Sequence, residues 1–572
     1  MPMIGDGGHI MQRYFGTIAL AALAAMTGTS SAAGPVASVA VAPSSHADLV
    51  RFFADWRAFV QPTIRDGVPD YSAAAMAKKA ADLPVYRSRL AAIGSTGWSA
   101  ADRNDWRLVQ AEINGFDFFL RVLKPWARDP GFYQNVFGEE SDVPAHEGPS
   151  ASPTIDLFTL TYPLSRGDDR KLTGMLGGVP AMLTAARTNL AQSNAADLWR
   201  YGDRAFRGQS EVLAALERGD LRMRTLAGVQ AASLAGASPA LRKAVREAKV
   251  ATDGFADWIA AQARSKTGPS GVGKADYDWY VANVDLSPYD WDQQVTLLQR
   301  ELDRALASLR LEEVRNRDLP PIAAIDDAAA YRKVAEAKTR KFSDFLVATG
   351  LVPDKPYFRA ALEARTSNYL APDADHGFFD NVTALDPLPL LSHSTHWIEL
   401  ARLRFEPHAS AIRQTAPLFN IFADRSEGFA TAMEEIVMQA GLYDDIPHGR
   451  ELVWIMLANR AARGLASLHV QANEIDLAGA GRFHADWTPR HWSNAQSKLV
   501  GFEQLLYLRQ PGYGPSYILG KVQLDQLLAR ASHEAEASGR PFVMKDAFAR
   551  IIAPGILPPV LIEDEMFAGP VR

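Results

Sequence analysis

Cysteine is absent from the 572 residues of this chain. Its absence excludes disulfide bonds, thiolate nucleophiles, iron–sulfur clusters and zinc sites built from cysteine. Any metal ion must therefore be held by histidine and carboxylate side chains, which are the ligands typical of catalytic zinc sites. The twelve histidines of the chain are consequently the residues to locate first.

An excess of basic residues is also lacking. The formal net charge is -6 and the pI is about 6.1, and lysine and arginine do not gather into runs. Binding to a nucleic acid backbone requires a positively charged surface. Nucleic acid is therefore not an expected partner.

Long apolar runs are missing beyond the N-terminus. The apolar run at residues 15–26 follows one arginine and precedes small residues that continue to Ala33. The run is shorter than the roughly 20 residues that cross a bilayer, and the pattern is typical of a secretory signal peptide. We expect residues 1–33 to be a signal peptide and the protein to be exported, periplasmic or secreted, without stable membrane insertion. A membrane anchor is the alternative.

Helical spacing of apolar residues recurs along the chain. Leu49, Phe52, Phe53 and Trp56, for example, fall on one helical face, whereas clear strand alternation is scarce. The sequence therefore predicts a mainly α fold with little β structure. We expect a linker at residues 34–47, a helical region at 48–315 and a second helical region at 316–572, divided near the loop-like segment 316–327.

The second half of the chain carries nine of the twelve histidines, and "LSHSTHWIELARLRFEPH" at residues 391–408 holds three of them. On a helix, positions 393, 396 and 399 lie on one side. His393, His396 and Glu399 would then offer two imidazoles and a carboxylate to a metal ion. The alternative is a polar helix start whose histidines face solvent.

Three further helices are predicted downstream. Residues 425–445 have a possible N-cap in Ser426 and a stop signal in Gly441, and Glu427 shares a face with Glu434 and Glu435 two turns later. Glu427 is either a ligand or a first-turn carboxylate favoured by the helix dipole. Residues 450–470 and 520–539 are predicted to be amphipathic helices.

Several segments of the second half resemble a known family. "EGFATAMEEIVMQAGLYDD", which begins at Glu427, resembles the EGWALYxE helix of the bacterial domain-of-unknown-function family 885. The segments "RFHADWT", "YLRQPGYGPSYILGKVQLDQLLARA" and "RPFVMKDAFARIIAPGILPPVLIED" resemble its later motifs in order. The likeness covers most of the chain and is strongest over about 420–565.

The resemblance implies a large helical, zincin-like metallopeptidase architecture with a deep cleft. It also implies a zinc site made by an HExxPGH motif and the glutamate of EGW, with a histidine and a tyrosine near the substrate. Residue by residue, Glu427 corresponds to the EGW glutamate, His484 to the histidine of the LHxxGWT motif, and Tyr517 to the tyrosine of the following motif.

The chain departs from the family at HExxPGH, which is absent. In one alignment, His393 and His396 take the place of the metal-binding histidines and Glu399 follows as the base. In the other, "FEPH" is a shortened motif in which Glu406 keeps the position of the general base and His408 that of the last ligand. Spacing to Glu427 favours the first alignment, and the order Glu, Pro, His favours the second.

Together with the resemblance, these observations predict an exported zinc-dependent hydrolase that acts on peptide bonds, with a peptide or a small molecule as its substrate. Zinc hydrolysis needs three protein ligands, a water, a base and a donor for the oxyanion. The expected metal ligands are His393, His396 and Glu427, with His408 as the alternative ligand. The expected catalytic residues are Glu399 or Glu406 as base, and His484 and Tyr517 at the oxyanion. The rival hypothesis is a catalytically inactive relative that binds peptides or acts as a scaffold in the cell envelope.

Overall fold

The computed structural model describes residues 44–65, 67–146, 152–371 and 376–568. The predicted signal peptide, residues 1–33, and most of the predicted linker lie outside these ranges. The chain is 67% helix and 4% strand, which confirms the expectation of a mainly α fold. Within the described ranges, no helix is both long enough and apolar enough to cross a membrane.

The first part of the chain is helical and contains short strands. Its helices are α1 (His46–Val60), α2 (Ala73–Ala91), α3 (Ala100–Phe118), α4 (Pro125–Arg128), α5 (Arg166–Gly177), α6 (Val179–Asn189), α7 (Ala196–Arg200), α8 (Asp203–Arg218), α9 (Pro239–Ala263), α10 (Lys274–Asn283) and α11 (Trp291–Arg315). The strands form two-stranded pairs: β1 (Ile64–Arg65) runs antiparallel to β2 (Val68–Pro69), β3 (Val136–Phe137) parallel to β4 (Ile155–Asp156), and β5 (Leu221–Thr225) antiparallel to β6 (Gly228–Ala232).

The second part of the chain is helical in all its described elements. Its helices are α12 (Ala328–Thr349), α13 (Phe358–Glu363), α14 (Phe378–Leu385), α15 (Leu388–His393), α16 (Thr395–Phe405), α17 (Ala423–Gln439), α18 (Pro447–Gln471), α19 (Leu477–Trp487), α20 (Lys498–Arg509), α21 (Tyr513–Ala537), α22 (Met544–Ile552) and α23 (Pro559–Phe567). Residues 43–572 form one compact unit. The segment 316–327 connects α11 to α12, and α11 also packs against α18 across this connection.

Helix α18 lies at the centre of the second part. Nearly every residue along it is buried, because α11, α19 and α21 pack around it. A helix buried on all sides has no solvent face for its polar residues. Arg460 and Arg463 of α18 are therefore buried as well, at 1% and 2% exposure, and must find partners inside the protein.

Helices α17 and α21 touch through their backbones at two glycines. A Cβ atom added to Gly428 would lie 2.3 Å from the Cα of Gly520, and one added to Gly520 would lie 1.8 Å from the carbonyl oxygen of Asp424. Only glycine fits at such a crossing, because a methyl group would overlap the other backbone. The contact places Glu427 of α17 beside the first turns of α21.

Helix α17 begins earlier than the sequence predicted. It starts at Ala423, with Phe422 before it, and Ser426 is a buried residue inside the helix. The predicted N-cap at Ser426 is therefore wrong. The prediction for the other end is confirmed, because the helix stops at Gln439 and Gly441 follows with a φ of 100°, a conformation that glycine adopts without strain.

Candidate metal centre

The two histidines of "HSTH" lie on consecutive helices rather than on one. Helix α15 ends at His393 and α16 begins at Thr395. Ser394 between them has a ψ of 11°, whereas a continuing α-helix needs about -42°. The break brings the imidazole rings of His393 and His396 to 4.8 Å between centroids, at an interplanar angle of 81°.

His393, His396 and Glu427 come together as one cluster. Each offers one ligand atom, and these three atoms lie within 4.8 Å of one another. The Nε2 atom of His393 lies 3.4 Å from Oε2 of Glu427. Ligands of a tetrahedral zinc ion sit about 2.1 Å from the metal and hence about 3.4 Å from each other. The spacing of this pair is therefore what a shared zinc ion requires.

Buried polar atoms without hydrogen-bond partners accompany the cluster. They include Oε2 of Glu427 and Nδ1 of His396. Buried polar atoms are nearly always hydrogen-bonded, and exceptions need an explanation. In the tautomer whose Nδ1 carries no proton, the imidazole cannot donate to the carboxylate, and each atom then offers an electron pair to a metal cation. The residues present thus fit a divalent metal ion.

The protonation states suit the same ligand set. Burial lowers the pKa of His396 to about 4, and the smaller opposing effect of Asp142 does not offset it. Burial alone would raise the pKa of Glu427, but its interactions with His393 and His396 bring that pKa down to about 2. At neutral pH the cluster therefore contains a neutral imidazole at His396 and an ionised carboxylate at Glu427, both of which are ready to bind a metal.

Glu434 approaches His393 from the side away from Glu427. Its Oε1 atom lies 2.9 Å from Nδ1 of His393 without hydrogen-bond geometry, and the same oxygen accepts a 3.1 Å hydrogen bond from Nε of Arg460. In metal sites, a carboxylate placed behind a histidine orients the ring so that its other nitrogen faces the metal. Sequence reasoning placed Glu434 on the face of Glu427 but did not predict this contact.

Two tyrosines of α21 complete one side of the cluster. The hydroxyl of Tyr513 donates a 2.7 Å hydrogen bond to Oε1 of Glu427. The ring of Tyr517 is stacked on that of His393 at 6.1 Å, and the guanidinium of Arg463 lies 4.2 Å from the Tyr517 ring centroid. The structure thus brings the predicted Tyr517 to the cluster. Tyr513 was missed, although its position one turn earlier on α21 could have indicated it.

Asp142 approaches the cluster from the first part of the chain. Its Oδ2 atom lies 3.8 Å from Nε2 of His396, and its side chain is 38% exposed. It belongs to the segment 138–146, which follows β3. The sequence indicated only a loop there, and nothing in the residue pattern points to a partner about 250 positions away.

Glu399 is buried near the cluster but is engaged elsewhere. Its Oε2 atom accepts a 2.6 Å hydrogen bond from Nη2 of Arg425, and both side chains are less than 10% exposed. The sequence placed Glu399 beside the histidines as a ligand or base. In the structure its carboxylate is instead bound to the guanidinium of Arg425.

The "FEPH" residues are not part of the cluster. Glu406 is exposed and accepts a 2.6 Å hydrogen bond from Nζ of Lys355. Phe405 is 60% exposed. The Nδ1 atom of His408 accepts a 3.0 Å hydrogen bond from the backbone of Ser410. The structure therefore brings together the residues of the first alignment and leaves those of the second outside.

His484 lies in a neighbouring buried layer. Its Nε2 atom accepts a 2.8 Å hydrogen bond from the amide of Asn459, and its Nδ1 lies 3.9 Å from Oε2 of Glu503. Burial, together with the positive charge of Arg463, lowers its pKa to about 3. Arg463 pairs with Glu503 and lies over Tyr517, so it stands between His484 and the cluster. The oxyanion role of His484 stays a prediction.

Solved structures share this fold. A candidate lipoprotein of unknown function from Shewanella oneidensis superposes with a TM-score of 0.62 at 13% sequence identity, covering 91% of this chain and 99% of the other. A candidate lipoprotein from Colwellia psychrerythraea gives a TM-score of 0.62 at 12% identity over 92% and 99%. At these identities the likeness concerns the fold alone. No functionally curated protein matches the sequence.

A family model described as "Bacterial protein of unknown function (DUF885)" matches residues 58–353, which is more than half of the chain. The matched residues end before His393, so the metal cluster lies outside the match. The sequence resemblance was expected to be strongest over 420–565, and the match instead covers the first part of the chain.

Proposed function

Because the chain belongs to the DUF885 family of bacterial proteins of unknown function, its activity has to be inferred from its own residues, and we propose that it is a metal-dependent hydrolase of peptides. The observation that carries the proposal is the convergence of His393, His396 and Glu427 within 4.8 Å. Two histidines and one carboxylate form the ligand set of several catalytic zinc sites, with one coordination position left for water or substrate. Zinc is the proposed metal.

Each residue around the cluster has a proposed task. His393, His396 and Glu427 would hold the ion, and Glu434 would orient His393. A bound zinc ion lowers the pKa of its water and polarises the carbonyl of a substrate. Asp142 faces Nε2 of His396, the nitrogen opposite the unpartnered Nδ1, so it would hold that ring with Nδ1 towards the ion.

Tyr517 is the proposed donor to the oxyanion. It stacks on His393 and lies under the cation of Arg463, which holds the ring in place. A hydrogen bond to the oxygen that becomes negative in the transition state lowers the barrier to hydrolysis. Glu399 is no longer the proposed base, since Arg425 already occupies its carboxylate.

The zincin-like architecture with a cleft, and the export of the protein, are parts of the same proposal. Two features support export: the signal-like pattern of residues 1–33, and the description of two proteins of the same fold as candidate lipoproteins. The periplasm or the cell exterior is the proposed location. A cysteine-free chain needs no disulfide formation in either place.

Metal analysis of the purified protein tests the proposal. After zinc supplementation and dialysis, we expect one zinc ion per chain, and its loss in His393→Ala, His396→Ala and Glu427→Ala. His469→Ala is the matched control, because His469 lies near the C-terminal end of α18 and is paired with Glu474. Peptide hydrolysis should require zinc and should be lost in the same three variants. A wild-type protein that binds no divalent ion would overturn the proposal.

An inactive peptide-binding protein is the second candidate function. The observation that favours it is the ion pair between Glu399 and Arg425, which removes the carboxylate closest in sequence to the histidines from the role of base. The two candidates differ in one measurement. The inactive protein would bind zinc and peptides but would leave the peptides intact during prolonged incubation, as followed by mass spectrometry.

A further inference from the structure

A cavity of about 540 Å³ lies next to α16. Its volume is within the range of pockets that bind small ligands, about 300–1,000 Å³. The apolar part of its lining comes from separate elements of both halves of the chain: Phe132, Phe137, Phe158, Leu226, Leu400 and Leu403. Such a lining offers an apolar guest more contact area than one helix face could provide.

The cavity and the metal cluster share one face of α16. His396, Leu400 and Leu403 are separated by four and three positions, so their side chains lie on the same side of the helix. At 1.5 Å per residue, Leu400 and Leu403 lie about 6 and 11 Å along the helix from His396. An extended peptide covers that distance with about two or three residues.

The segment 138–146 lies between the cavity and the metal cluster and contacts both. Ser141 and Val143 line the cavity, and Asp142 between them reaches His396 of the cluster. Neighbouring residues of one short segment therefore contact both places. A peptide lying along this segment would therefore contact both places.

The charged groups among the described residues that line the cavity are already paired. Arg404 forms an ion pair with Glu140, and His146 lies 2.8 Å from Asp156, while the guanidinium of Arg509 is bonded to an aspartate. A charged guest would lose its hydration and compete with these pairs. An uncharged apolar guest has no charge whose hydration would be lost, and it gains contact with the aromatic and leucine side chains.

We propose that this cavity binds an apolar, uncharged side chain of a peptide substrate, two or three residues from the bond that is cleaved. The inference rests on the proposed function, since the cluster defines where cleavage takes place. It adds the substrate class: peptides with a large apolar residue at that distance from the scissile bond.

Peptide binding to the full chain tests this inference. The probes are fluorescein-labelled alanine heptapeptides with phenylalanine or aspartate at the centre, followed by fluorescence anisotropy with zinc and with EDTA. We expect the phenylalanine peptide to bind at least about tenfold more tightly, because burying that side chain contributes about 1.5–3 kcal/mol. Leu400→Arg should abolish the difference, and Leu311→Arg, at a 71% exposed leucine of α11, should preserve it.

A second variant tests the cavity independently, in case Leu400→Arg does not fold. Gln414 is exposed and lines the cavity rim, so Gln414→Trp fills the space without disturbing the core and should also abolish the preference. Equal binding of both peptides to the wild type, or an unchanged preference in Gln414→Trp, would overturn the inference. Zinc binding is measured separately, so a protein that prefers phenylalanine but binds no zinc contradicts the proposed function alone.

Discussion

The Nδ1 atom of His393 lies 2.9 Å from Oε1 of Glu434, while Nε2 of the same ring lies 3.4 Å from Oε2 of Glu427. One histidine is therefore held by a carboxylate on each side, and only the Glu427 side contains a proposed metal ligand. With a metal bound, the Glu434 side would set which ring nitrogen carries the proton, and this role can be tested apart from the ligands themselves.

Glu434→Gln should weaken zinc binding without removing a ligand. Loss of such a supporting carboxylate typically lowers metal affinity by about 10- to 100-fold. Competition with a chromogenic chelator measures the change. Glu435→Gln is the matched control, because Glu435 is the next residue on α17 but pairs with Arg304 instead. Equal zinc affinities in the two variants would contradict the orienting role of Glu434.

Tyr513→Phe and Tyr517→Phe should affect different quantities. Tyr513 donates to the metal-facing carboxylate of Glu427, and a hydrogen bond to a charged group contributes about 1.5–3 kcal/mol. We therefore expect Tyr513→Phe to weaken zinc binding. Tyr517→Phe should leave zinc affinity unchanged and lower kcat by about 10²–10³, as for loss of an oxyanion donor. A normal kcat in Tyr517→Phe would remove it from the mechanism.

The helices of the second part could be predicted from the sequence because their signals are local. The predicted helix 450–470 corresponds to α18, Pro447–Gln471, and Gly441 ends α17 as expected. The prediction of which helix faces are exposed to solvent was wrong. The helix 450–470 was predicted to be amphipathic, yet α18 is buried on all sides, because the arginines that suggested a solvent face are paired with Glu434 and Glu503 instead.

The candidate site was only partly predictable, because part of it depends on how distant segments pack together. His393, His396 and Glu427 could be named from the types of residue and their spacing. The break at Ser394 could not, since neither glycine nor proline marks it. The roles of Asp142 and Glu434 depend on packing between elements that are distant in sequence, which the periodicity of one segment cannot reveal.

Removing either member of the Glu399–Arg425 pair should destabilise the protein. Glu399→Gln would leave a buried guanidinium without a countercharge, which costs about 3–5 kcal/mol of unfolding free energy. Urea unfolding measures this cost. The double variant Glu399→Leu with Arg425→Met should recover most of the stability, because it removes both charges. A Glu399→Gln protein of normal stability that has lost hydrolysis would instead identify Glu399 as the base.

The stability of the fold should fall in mild acid through His484. Its pKa is about 3 in the folded protein against about 6.5 when unfolded, so protons bind more readily to the unfolded chain. The contribution of His484 is complete above pH 6.5 and is lost as the pH falls towards 3. Between pH 7 and 5 this amounts to about 2 kcal/mol.

Urea unfolding at pH 7 and pH 5 measures this loss. His484→Gln cannot be protonated in this range, so its unfolding free energy should change by about 2 kcal/mol less than that of the wild type between the two pH values. His469→Gln, which removes a more exposed histidine, is the matched control. An identical pH dependence in wild type and His484→Gln would show that His484 does not titrate as its burial requires.

The contact between Gly428 and Gly520 has a consequence for motion. Two helices whose backbones touch cannot slide or tilt past each other without a steric clash, so Glu427 and the tyrosines of α21 must move as one rigid body. The distance between Glu427, a proposed metal ligand, and Tyr513, the donor to its carboxylate, is therefore set by the absence of two side chains at this crossing.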